Sequence, residues 1–155
     1  MIRKDMIFVD VSATNRDQVI SKLSETAKAL DLVDSKEDFI QAVMQREEEF
    51  PTSIGFKVAI PHGKTKTVKE PFIGFCRTEQ PFIWEQEGNK EVSLIFLIGV
   101  PQHLEGTLHL VILSQISRML MNEDFRRKLS ESKQKEDIYA LLLDIENHIK
   151  EKNEN

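Results

Sequence analysis

A chain of 155 residues with 40% hydrophobic and 30% charged residues has the size and composition of one soluble globular domain with its own core. Its formal net charge of −5 argues against a nucleic-acid binder, which needs a basic face. A single cysteine excludes an internal disulfide. No apolar run is long enough to span a bilayer and the start lacks a signal-peptide pattern, so the expectation is a cytoplasmic domain without membrane insertion.

Met6–Val11 is a short apolar run rich in β-formers and predicts a first strand. Thr14-Asn15 then offers a helix cap, and Val19, Ile20, Leu23, Ala27 and Leu30 recur at helical spacing. Ser35-x-x-Asp38 has the form of a capping box for a second helix with Phe39, Ile40, Val43 and Met44 inward, ending near Glu48 or Glu49. Val58-Ala59-Ile60 predicts a strand stopped by Pro61-His62-Gly63, which places His62 where a strand edge opens onto a loop. Gly63 carries no side chain and so leaves room for a bulky anion to approach. Lys64–Glu70 reads as a charged loop and Pro71–Cys76 as a strand carried on by Arg77-Thr78, with Phe72, Gly74 and Cys76 on one face and Ile73, Phe75 and Arg77 on the other. Cys76, with no adjacent histidine, reads as a small core residue. Trp84–Asn89 reads as a loop or hairpin turn. Val92–Val100 is continuously apolar, the mark of a strand covered on both faces in the middle of a sheet, and Pro101 closes it. A long helix follows with Leu108, Val111, Ile112, Ile116 and Leu120 inward and His109 near its start, where helix N–H groups attract anions. Asn122 caps a short helix through Phe125 and Leu129. Ser132 starts a last helix carrying Ile138, Leu142, Ile145 and Ile149, with a polar tail from about residue 150 and His148 on the surface.

Strand, two helices, several strands and then helices are most economically layered as an α/β fold with helices on both faces of a central sheet, in one domain over residues 1–155. Two roles stand open for Arg46 at the end of the second helix. It is a cation that favours a helix C-terminus, worth roughly 0.3–1 kcal/mol, or a planar fork of donors for phosphate.

The segment Arg46–Gly63, REEEFPTSIGFKVAIPHG, resembles the active-site segment of enzyme IIA domains of the fructose–mannitol class, from the bacterial phosphoenolpyruvate-dependent sugar phosphotransferase system. Arg46, Glu47, Thr52, Ile54, Gly55, Ala59, Ile60, Pro61 and His62 fall in register without a gap, and the likeness extends from about Phe8 to about Leu143. Ser53 and Lys57 stand where the family often has glycine, and Glu49–Thr52 is similar to some galactitol-type members. The resemblance implies a three-layer α/β/α sandwich around a mixed sheet. It implies that His62 takes phosphate from the histidine phosphocarrier protein and gives it to a cysteine of an enzyme IIB partner. It also implies that His109 lines the active site beside His62.

Histidine suits such a task, because its ordinary pKa of about 6.5 leaves it unprotonated near neutrality. Catalysis is then mostly positioning and electrostatic stabilisation, for which Thr52, Arg46, His109 and helix N–H groups are the candidate donors. Ile54 and Phe56 are candidates for apolar partner contact, Lys57 and Lys64 for steering. No nucleotide-binding glycine run and no clustered metal-ligand spacing occurs, so neither cofactor nor metal is expected. A regulatory member of the same family, in which phosphorylation of His62 controls protein binding, is the second reading. A zinc hydrolase using His62 and His109 is the third, and it requires a further ligand.

Overall fold

The computed structural model describes residues 1–104 and 106–154, and in it a mixed six-stranded sheet lies between two helical layers. The elements are β1 (Ile2–Val11), α1 (Arg16–Ala29), α2 (Lys36–Glu49), β2 (Ser53–Gly55), β3 (Val58–Ala59), β4 (His62–Thr65), β5 (Phe72–Glu85), β6 (Lys90–Pro101), α3 (Leu108–Leu120), α4 (Glu123–Glu131) and α5 (Lys135–Glu154). Strand β5 runs parallel to β1 and antiparallel to β6. Strands β3 and β4 lie one after the other along the far edge of β6, both parallel to it, and β2 folds back antiparallel on β3.

The apolar run of Val92–Val100 has the central place its composition demands. Leu94, Phe96, Ile98 and Val100 pack toward α3, α4 and α5, whereas Ile95 and Leu97 pack toward α1 and α2. Strand β5 alternates as the period of two requires, with Ile73 and Phe75 in the first layer and Phe72 and Cys76 in the second. Phe75 and Phe96 meet edge to face across the ladder, centroids 5.2 Å apart. Cys76 is fully buried and its thiol pKa is pushed up to about 12 by burial, which leaves it a core residue.

Local signals are honoured with some changes of detail. Asn15 caps α1 through the Gln18 N–H, Ser35 caps α2 through the Asp38 N–H, and Asn122 caps α4 through the Phe125 N–H. The box at Ser35 is closed by Thr67 and not by Asp38: the Ser35 N–H donates to Thr67 Oγ1 at 2.7 Å. The supposed loop from Lys64 to Glu70 is therefore a packed segment that begins inside β4 and buries Thr67 and Val68 against Val33. Strand β1 starts at Ile2, four residues before the predicted start. Strand β5 runs on through Trp84 and Glu85, past a register shift between Arg77 and Phe82, so the hairpin turn is only Gln86–Asn89. Ser132 ends α4, and the last helix starts at Lys135 and continues through the polar segment to Glu154. Asn155 lies outside the described residues.

Of two paired glycines, one bears on the distance between α2 and the sheet and the other makes room for the Phe72 ring. Gly63 of β4 pairs with Gly99 of β6. A Cβ on Gly63 would stand 3.2 Å from Val43 Cγ2 of α2, and one on Gly99 would stand 2.3 Å from the Phe72 ring. Gly63 thus lets α2 approach the sheet closely, which carries Arg46 to the strand that holds His62. A side chain at Gly63 would meet Val43 and Phe39 of α2, so its role lies in packing against that helix.

Candidate functional site

The edge of the sheet breaks between β3 and β4, at Ile60-Pro61. The Pro61 carbonyl accepts from the Ile98 N–H at 3.0 Å, so the break is anchored to the central strand. The carbonyl of Ile60 is turned to the imidazole two residues on: His62 Nδ1 lies 2.9 Å from it. A carbonyl only accepts, so Nδ1 carries the proton and Nε2 keeps its lone pair. His62 is half-buried as the first residue of β4, and not on a loop. Its pKa is lowered from the ordinary 6.5, chiefly by burial. The Ile60 hydrogen bond opposes this, Arg46 adds to it, Glu47 opposes it and His109 adds a little. The ring is therefore neutral at pH 7.

A cleft of about 530 Å³ opens over this ring, lined by Arg46, Glu49, His62, Gly63, Lys64 and His109 among others. Arg46 reaches it from the last turn of α2, with one guanidinium nitrogen fixed by the Phe50 carbonyl at 2.7 Å. His109 enters from the opposite side, as the second residue of α3. Its Nδ1 is buried without a hydrogen-bond partner, and its pKa is lowered by burial first and by Lys64 second. Thr107 caps α3 without a side-chain bond and no acidic residue sits in the first turn, so the start of this helix presents N–H groups with no intrahelical acceptor. The Arg46 guanidinium, the His109 imidazole, Lys64 and a helix start converge around the His62 lone pair, a set of groups suited to a tetrahedral oxyanion.

Three of the four residues singled out from sequence, His62, Arg46 and His109, line this cleft. Thr52 is placed elsewhere: it is buried, and its hydroxyl donates to Glu47 Oε1. Sequence reasoning assigned no role to Glu47, whose carboxylate is 1% exposed and also receives the Thr52 N–H at 3.1 Å and the Trp84 indole N–H at 3.2 Å. Its position beside Arg46 in the in-register segment was the available signal. Ile54 and Phe56 are exposed, and Phe56 lies under the Arg126 guanidinium, 3.9 Å from its centroid. His103 is exposed outside the cleft, and His148 binds the Asp144 carbonyl within α5. Among the described residues no three His, Cys, Asp or Glu side chains gather in a way that could hold a metal ion, so the further ligand that a zinc site requires is not found there. Among the described residues no helix is long and apolar enough to cross a membrane.

The fold and this cleft place one neutral histidine beside a guanidinium, a lysine and a helix start. Residues 1–145 match the family model of the phosphoenolpyruvate-dependent sugar phosphotransferase system, EIIA 2, and the chain belongs to that family. It is therefore a phosphotransferase component. It is 33% identical over 141 residues to the fructose-specific EIIA component of Haloferax volcanii, covering 91% of each chain. It also spans 22% of a longer relative, the 2-O-alpha-mannosyl-D-glycerate-specific EIIABC component of Escherichia coli, with 28% identity. Among solved structures, the nitrogen regulatory protein IIA-Ntr of Neisseria meningitidis matches with a TM-score of 0.82 and 27% identity, over 91% of this chain and 95% of that one. The same fold occurs in the complex of enzyme IIA and phosphorylated enzyme IIB for mannitol from Escherichia coli, with a TM-score of 0.77 and 19% identity, over 92% of this chain and 99% of that one.

Proposed function

We propose that the domain is a cytoplasmic phosphoryl carrier in sugar uptake, with His62 as the group that is phosphorylated. The observation that carries this reading is the Nδ1 bond to Ile60, which leaves a neutral Nε2 facing a cleft of cationic and N–H donors. Nε2 attacks the phosphorus of a phosphohistidine on the histidine phosphocarrier protein. The new N–P bond forms on His62 as the old one breaks, and the donor imidazole recovers its lone pair. Arg46, His109 and the start of α3 hold the equatorial oxygens, whose charge peaks in the transition state. In the second step a cysteine thiolate of an enzyme IIB component attacks the same phosphorus from the open side, and the His62 N–P bond breaks. Sugar is bound by the membrane component and not by this domain.

A complex of enzyme IIA with phosphorylated enzyme IIB exists for the mannitol system, which supports the second partner by analogy of fold. The likeness to IIA-Ntr supports a second reading, in which phosphorylation of His62 controls binding to another protein. Label from phosphoenolpyruvate, passed through enzyme I and the phosphocarrier protein, tests both. A carrier takes up the label and loses it to added enzyme IIB of the fructose–mannitol class. A regulatory protein takes it up and retains it against every such IIB. No uptake at all defeats both readings.

A further inference from the structure

We infer that Glu47 is a positioning residue that fixes the tautomer of His62 through Thr52 and Ile60, an inference that rests on reading His62 as the phosphoryl acceptor. A continuous series of hydrogen bonds joins the two side chains. The Glu47 carboxylate takes the Thr52 N–H on one oxygen and the Thr52 hydroxyl on the other. The Thr52 carbonyl accepts the Ile60 N–H at 3.0 Å, and the Ile60 carbonyl accepts His62 Nδ1–H at 2.9 Å.

Each link needs the one before it. Thr52 lies between α2 and β2 in neither helix nor strand, so no ladder holds its backbone, and Glu47 clamps it twice. Ile60 lies in the break between β3 and β4 and relies on Thr52 for its N–H. The carboxylate itself is moored by Trp84, near the end of the long strand β5, so the reference point of the series is the sheet. All three donors to Glu47 are uncharged groups of a buried site, where an unmet polar atom is expensive and geometry is correspondingly fixed.

The consequence is chemical. A neutral imidazole in water carries its proton mainly on Nε2, the nitrogen that faces the cleft here. Only a well-placed Ile60 carbonyl keeps the proton on Nδ1 and the attacking lone pair on Nε2. Once Glu47 is truncated, Thr52 and Ile60 are free to shift, the ring turns to its solution preference, and most molecules present a protonated nitrogen to the phosphorus.

The test is the ¹⁵N resonance pattern of the His62 imidazole in the unphosphorylated protein at pH 8, a readout independent of any transfer. It is paired with the rate of phosphoryl acceptance. Wild type is expected to show the Nδ1–H form alone. Glu47→Ala is expected to show a mixture rich in Nε2–H and acceptance slowed on the order of 10- to 100-fold, the scale of lost positioning. Glu47→Gln is expected to keep the wild-type tautomer and most of the rate. Its carboxamide oxygen can take the two N–H donors, while its NH₂ donates to a Thr52 hydroxyl that reverses its role. A folded Glu47→Ala protein with the wild-type tautomer overturns the inference, as does a Glu47→Gln protein that scrambles the tautomer as fully as the alanine does. Should Glu47→Ala fail to fold, Thr52→Val, which keeps the shape and removes one clamp, decides the matter. A detectable Nε2–H fraction upholds the series, and an unchanged tautomer overturns it. If wild type accepts no phosphate yet Glu47 sets the tautomer, the functional reading falls and the positioning role stands.

Discussion

The two flanks of His62 are built on opposite plans. On the α2 side every polar group named above is engaged: Glu47 with Thr52 and Trp84, Arg46 with Phe50, Thr52 with Ile60. Gly63 lets the helix close down on the strand. On the α3 side the helix start has no side-chain cap, His109 Nδ1 is buried without a partner, and Leu110 is half-exposed. Apart from the guanidinium nitrogens of Arg46 not taken by Phe50, the α2 flank commits its named polar groups to fixing the segment that carries His62. The other keeps its capacity unspent, as a site must if it is to welcome charge that arrives only with the substrate. Rigidity and receptivity are thus weighted toward different helices, α2 and α3, on either side of one ring.

Substitutions can break this division at different strengths. His62→Ala removes the acceptor and is expected to abolish phosphorylation, at a stability cost of about 1 kcal/mol for the lost hydrogen bond to Ile60. Phosphate incorporation and a urea melt on the same sample measure both. Arg46→Ala and His109→Ala each leave the nucleophile in place and are expected to slow acceptance on the order of 10²-fold, seen in single-turnover rates. Arg46→Lys is not expected to restore the rate, because an ammonium lacks the planar fork.

Proton linkage gives a further handle. His62 and His109 both have pKa values lowered from 6.5 in the folded protein, each chiefly by burial. As pH falls below 6.5 the unfolded chain binds protons first. Stability is therefore full above that pH and declines through the window down to the lowered values. Acceptance should follow the same direction, flat across neutrality with an acid limb lying below 6.5. A limb centred above 6.5 in the pH–rate profile contradicts the burial of His62.

Smaller effects probe the packing. Gly63→Ala places a methyl group 3.2 Å from Val43 Cγ2, and overpacking of this kind costs typically 1–3 kcal/mol. Because α2 is pushed off the strand, the loss of transfer rate should exceed what unfolding alone explains. The smallest effect is expected at the β2–β3 hairpin, where Phe56 and Lys57 both have positive φ, 55° and 61°, in a two-residue turn. Lys57→Gly should raise stability by about 1 kcal/mol, since glycine meets no Cβ penalty there. Thermal or urea denaturation shows the gain.

Much of this architecture was legible in the chain. The unbroken apolarity of Val92–Val100 gave the central strand, and helical spacing with Asn15, Ser35 and Asn122 caps gave three helices. The in-register segment gave Arg46 and His62 of the cleft, and the wider resemblance gave His109. What escaped depends on contacts distant in sequence. The strand from Pro71 was read only as far as Thr78, yet β5 runs on to Glu85 through a register shift because β6 pairs on both sides of it. His62 looked like a loop residue because its strand exists only through parallel pairing with Ile98. Thr67 and Val68 looked solvated because their partners Ser35 and Val33 lie more than thirty residues earlier. Thr52 looked like a donor for phosphate because the depth at which Glu47 sits is set by Trp84, on the far side of the hairpin. Glycine and lysine at position 57 are told apart by backbone angle, which local pattern does not disclose.

The proposed function stands or falls on phosphorylation of His62. Intact-mass spectrometry at alkaline pH tests it most directly, after incubation with phosphoenolpyruvate, enzyme I and the histidine phosphocarrier protein. A single phosphoryl adduct is expected on the wild-type chain, lost on acidification and absent from His62→Ala. An adduct of equal yield on His62→Ala, or none on the wild type when the donors are shown to be active, would contradict it.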